Sequence, residues 1–129
     1  MKTFSKEMKS AISQILKKHS QLEKFNTAED FHFRLEMDSF LPLVIEKHNK
    51  QITVTHYRSE NGDQISDPDM EFVIGADGEW YPVALQMWDG SYFRARWSEL
   101  GKQFVNPRQV REQLSFAKMW AFNLKTQGW

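Results

Sequence analysis

Between His56 and Phe72 the chain reads HYRSENGDQISDPDMEF, which places one histidine, three aspartates and two glutamates within seventeen residues. A histidine beside a carboxylate is a general acid–base pair, because the imidazole titrates near neutral pH. His56, Asp63, Asp69 and Glu71 are therefore the weak candidates for a catalytic set, that of a metal-dependent or acid–base hydrolase. Asp67, Asp69 and Glu71 alternate like the opening of a calcium loop, but such a loop needs glycine at its sixth position and glutamate at its twelfth. Here those positions hold Phe72 and Gly78, so no metal and no cofactor are expected. Alternation along a strand also separates the players. Asp69 and Glu71 are neighbours on one side, whereas His56 continues the apolar line of Ile52 and Val54. A histidine on such a line packs and makes one hydrogen bond more often than it catalyses. No phosphate-cradling glycine loop, nucleophile elbow, paired histidines or cysteine nucleophile is present.

The same stretch is rich in turn chemistry. Asn61-Gly62 tolerates positive φ, Asp67-Pro68 opens a turn because the residue before proline avoids the helical region, and Asp63 can bond its own loop backbone. The expectation is a ten-residue connection between two strands.

Around this stretch the hydrophobic period defines the elements. Met8, Ala11, Ile12, Ile15, Leu16, His19 and Leu22 recur at helical spacing, predicting a helix over residues 5–24 with Ser5 as N-cap. FHFRLEM alternates from Phe31 to Met37, and residues 41–47 and 51–58 form a hairpin around Asn49. Further strands follow in DMEFVI, EWYPVALQM and YFRARW, joined by turns at Asp77-Gly78 and Trp88-Asp89-Gly90-Ser91. Asn106 and Pro107 open a second helix over 107–126, with Val110, Leu114, Ala117, Ala121 and Leu124 on one face. The fold class is α+β: an antiparallel meander of about six strands over residues 31–97, with both helices packed on one face, in a single domain spanning 1–129.

Strand alternation assigns faces. The core side takes Ile52, Val54, Met70, Phe72, Ile74, Tyr81, Val83, Leu85, Met87, Phe93, Ala95 and Trp97. The other side carries Tyr57, Glu71, Gln86, Trp88, Tyr92 and Arg94, with Thr53, Thr55, Val73, Trp80 and Arg96. Aromatics mixed with arginine are typical of interaction hot spots, so those first six residues form the expected binding face.

Charge sharpens this picture. The chain has 129 residues and no net charge, yet residues 1–25 carry +4, residues 26–93 carry −9 and residues 94–129 carry +5. An acidic middle can steer a basic partner although the total is neutral. YFRARW with Trp88 could stack single-stranded bases, but Asp69, Glu71 and Glu79 on the same sheet repel phosphate. Nucleic-acid binding is thus a second alternative. The chain lacks cysteine, a signal peptide and a membrane-length apolar run, which points to the cytoplasm and away from a membrane partner.

PLVIEK, ITVTHY, NGD, DPDMEF, the run Gly-Glu-Trp-Tyr-Pro and a later Gly-Ser-Tyr together resemble a bacterial domain family of unknown function, found in small proteins of plasmids, integrative elements and phages. The resemblance covers about residues 31–97 and is sharpest at His56-Tyr57, Asn61-Gly62-Asp63 and Asp67 to Phe72. Where such families show YYEQNGD, this chain has Tyr57-Arg58-Ser59-Glu60 before its turn. The resemblance carries over no catalytic residue, ligand or cofactor. It implies a mobile-element accessory protein. The resulting expectation is a small non-enzymatic interaction or regulatory module, its partner another protein such as a host factor, or a second copy in a homodimer. In a sharper variant, the acidic middle imitates nucleic acid.

Overall fold

The structure, a computed structural model, describes residues 3–129. Helices α1 (Lys6–Lys18) and α2 (Leu22–Thr27) precede strands β1 (Asp30–Met37), β2 (Phe40–His48), β3 (Gln51–Glu60), β4 (Asp63–Ile74), β5 (Trp80–Gln86) and β6 (Tyr92–Arg94). A short hairpin, β7 (Arg96–Glu99) and β8 (Lys102–Val105), leads into α3 (Pro107–Gln127). The six strands form one antiparallel sheet in chain order, the expected α+β meander.

Side-chain oxygens start both long helices. Ser5 Oγ accepts the Met8 N–H at 3.1 Å, and Asn106 Oδ1 accepts the Gln109 N–H at 3.2 Å, with Pro107 at the first helical position. Met8, Ala11, Ile12, Ile15 and Leu16 of α1 meet Ala117, Trp120, Ala121 and Leu124 of α3 over one face of the sheet. Gln113 holds an inward position where the spacing placed Leu114, because its amide can reach the Phe93 carbonyl at 3.0 Å.

The expected helix over 5–24 is two helices. Ser20 takes a φ of 59° and the Gln21 N–H returns to the Leu16 carbonyl at 2.7 Å, which ends α1 without a glycine or proline. The bend turns Phe25 inward against Phe31 and Trp80, with ring centroids 5.3 and 6.1 Å apart. The Lys47 ammonium bonds the Phe25 carbonyl in the last turn of α2, where a cation complements the helix dipole.

The ten-residue connection is not a loop. β3 continues to Glu60 and β4 begins at Asp63, leaving Asn61 and Gly62 as a two-residue turn with φ of 52° and 86°. Asp67 and Pro68 sit in a bulge: Thr55 pairs with Asp69 and Tyr57 with Ser66. Their peptide bond is cis. Proline lacks a ladder donor, so a bulge accommodates it.

A second bulge revises the face assignment of β5. Phe72 pairs with Pro82 and Glu71 with Ala84, which leaves Val83 as the extra residue. The phase changes there. Trp80, placed outside by strict alternation, is 2% exposed in the core beside Phe72. Tyr81, placed inside, points outward, where its hydroxyl donates to Asp77 and Arg96 lies over its ring. The expected strand YFRARW also divides, at Ala95, into β6 and β7. Phe93 lies on the core side in register but is exposed at the edge, and Trp97 stacks on Phe104 within the small hairpin rather than in the core.

Candidate functional site

The four candidates for catalysis do not converge. His56 faces the helices, its ring between Trp120 and Trp129 at 5.6 and 5.7 Å. Its Nδ1 carries the proton, since it lies 3.1 Å from the Leu41 carbonyl and 3.2 Å from that of Pro42, both acceptors. Burial pushes its pKa down, against the two carbonyls and the Asp67 charge, which favour the protonated ring. Asp63 lies at the hairpin end, paired with Glu60. Asp69 and Glu71 project from the opposite face, where Glu71 Oε2 accepts the Gln51 amide at 3.3 Å. His56 and Glu71 therefore never meet, and the acid–base pair suggested by their spacing does not form. Among the described residues, no group of three or more His, Asp or Glu side chains is arranged to hold a metal ion.

The open face is built row by row from the register. One row runs Arg34, Val44, Thr55, Asp69, Gln86, Tyr92 across six strands. The next runs His32, Glu46, Thr53, Glu71, Ala84, Arg94. Both long helices lie on the other side, yet Thr55 is only 1% exposed. Thr55 Oγ1 and Asp69 Oδ1 are both sealed from solvent and neither makes a hydrogen bond. The Thr55 hydroxyl is near enough to Asp69 and Tyr57 to lower the pKa of each, but it lies outside hydrogen-bonding geometry.

This neighbourhood is electrostatically loaded. Burial first, and then the Glu71 carboxylate, push the pKa of Asp69 up to about 6; Thr55 opposes the shift and Glu46 adds to it. Burial also raises the hydroxyls of Tyr57 and Tyr92. The Asp69 and Glu46 charges add to the first shift, and the Glu71 and Asp69 charges to the second. The basic groups of the face have partners elsewhere: Arg34 pairs with Glu36 at 3.0 Å and Arg94 lies over the Trp97 ring, while Arg58, on the His56 side of β3, pairs with Glu60 and Asp67. Among the described residues, no ion pair reaches Asp69 or Glu71.

At the rim stand Trp88 and Tyr92, 59% and 52% exposed, flanking the Asp89–Ser91 turn in which Asp89 accepts the Ser91 N–H. The expected binding residues Tyr57, Glu71, Gln86, Tyr92 and Arg94 share this face, and Trp88 follows Gln86 by two positions. Arg34, Glu46 and the buried Thr55 complete it. The first two escaped the sequence reading, though extending the alternation of β1 and β2 across the sheet would have found them.

The architecture is that of an α+β protein with helices on one sheet face and the other face uncovered by them. The chain belongs to the DUF6908 family, a domain of unknown function, whose sequence profile matches residues 10–129. Comparison with curated proteins and with solved structures found no significant match. No helix among the described residues is long and apolar enough to cross a membrane.

Proposed function

We propose that the protein is a small non-enzymatic interaction module that binds another protein through the open sheet face. The carrying observation is the pair Trp88 and Tyr92, two large aromatics held in solvent by a tight turn at the rim of a face whose central carboxylates lack ion pairs. Exposed aromatics around a polar centre are the usual anchors of protein interfaces. The resemblance of the His56-to-Phe72 motif to plasmid, integrative-element and phage proteins supports a mobile-element setting, and the lack of cysteine supports a cytoplasmic one. Imitation of nucleic acid is the weaker variant, since Arg34 and Arg94 interrupt the acidic rows. The hydrolase reading loses its histidine to the opposite face.

Capture from lysate of the source organism, followed by titration of the purified partner, tests the proposal. The Trp88→Ala, Tyr92→Ala double variant should weaken binding at least tenfold with its fold intact. Equal affinity for both proteins would assign the contact to another surface.

A further inference from the structure

Resting on that reading, we propose that the centre of the open face seats one basic side chain, an arginine or lysine of the partner protein, over Asp69 and Glu71 and flanked by Tyr57 and Tyr92. Two independent features point to a donor-rich cation. The first is charge. Asp69 and Glu71 project side by side from β4 with Glu46 nearby, and none of the basic groups of the face is committed to either of the first two. The second is an unanswered hydrogen-bonding demand. Thr55 is almost wholly buried in the floor of the same face, and its hydroxyl oxygen and Asp69 Oδ1 both lack partners. Leaving such groups unpaired is costly to the free protein, and a guanidinium or ammonium entering between the flanking rings supplies the missing donors. An anionic ligand would meet the carboxylates, and an apolar one would leave both oxygens unpaired.

The flanking rings fit the same guest. Aromatic faces attract a cation within about 6 Å of the centroid, and the Tyr57 and Tyr92 hydroxyls both lie within the field of Asp69.

The groups facing Asp69 define how binding depends on pH. They are Arg34 on β1, Glu46 on β2 with its partner His32, Tyr57 on β3, Glu71 on β4, and Tyr92 and Arg94 on β6, while β5 contributes neutral Gln86. Asp69 takes up its proton near pH 6. Its neutralisation opposes a bound cation, so affinity declines from pH 7.5 to pH 5.

The probes are the capped tripeptides glycyl-arginyl-glycine and its citrulline isostere, titrated into the full chain while backbone amide resonances are followed. The expected result is saturable shifts at residues 53–57, 69–71 and 84–86 with the arginine peptide, about tenfold weaker with citrulline and about tenfold weaker for Asp69→Asn, Glu71→Gln. Equal response to the two peptides, shifts centred elsewhere, or an unaffected double variant overturns the seat. The two proposals fail separately. If Asp69→Asn, Glu71→Gln keeps full affinity for the purified partner while Trp88→Ala, Tyr92→Ala loses it, the face binds without this seat. If both variants keep it, the interaction face itself is wrong.

Discussion

Asp69 and His56 titrate in opposite senses. Asp69 has a folded pKa of about 6 against 3.8 for the free group, so the folded state holds the proton more tightly. Its burden on stability is absent below pH 4 and grows as pH rises through 6. Asp69→Asn should therefore stabilise the protein at pH 7.5 by about 1 kcal/mol, a figure discounted for partial exposure, and the gain should vanish by pH 4. Urea unfolding of both proteins across that range checks this. His56 has its pKa lowered by burial, so it favours folding when neutral, and that contribution is lost as pH falls below the ordinary histidine value near 6.5. His56→Gln keeps one N–H for the Leu41 carbonyl and does not titrate. It should lower stability at pH 7.5 through lost contact with Trp120 and Trp129, and should flatten the decline between pH 6.5 and 5 in the same assay.

Helix caps and bulges set how the elements present these groups. Asn106→Ala removes the side-chain acceptor that starts α3 and should cost about 1 kcal/mol, read as a fall of ~4 °C in Tm by calorimetry. Asn106-Pro107 was legible because capping chemistry is local, and the strands were legible because half-buried strands alternate. Alternation cannot show where a strand carries one residue too many. The register slips at Asp67-Pro68 and Val83 therefore stayed hidden, and with them the true sides of Trp80 and Tyr81. Asn61-Gly62 was recognised as turn chemistry, but the polar residues after it read as loop because β4 there has no strictly apolar side. The β7–β8 hairpin had its own signal in Leu100-Gly101, which adopt φ of 53° and 75°. The open face was readable for the strand residues Tyr57, Glu71, Gln86, Tyr92 and Arg94, which alternation places on one side. The orphaned Thr55 hydroxyl was not, since a missing partner is a property of packing.

Across the whole molecule, the separation of charge along the chain becomes a separation in space. Exposed Lys17, Lys18, Arg108, Arg111 and Lys118 ride on the helices, whereas Glu46, Asp69 and Glu71 occupy the other side of the sheet. Association of a basic partner should therefore slow as salt rises from 50 to 300 mM, with little change in dissociation, as stopped-flow would show. The core lies away from that surface. Leu124, fully buried between α1 and α3, should cost about 3 kcal/mol when cut to alanine, while Trp88→Ala, Tyr92→Ala should leave Tm within a degree or two. Val83 connects the two sides of the sheet. It acts on side chains as a single inserted base acts on a reading frame: every residue upstream of it in β5 is displayed on the side that strict alternation denies it. Excising that one residue would restore the frame, turning the Trp80 indole to solvent and driving the Tyr81 phenol into the space beside Phe25 and Phe72. One codon thus decides which aromatic is structure and which is surface.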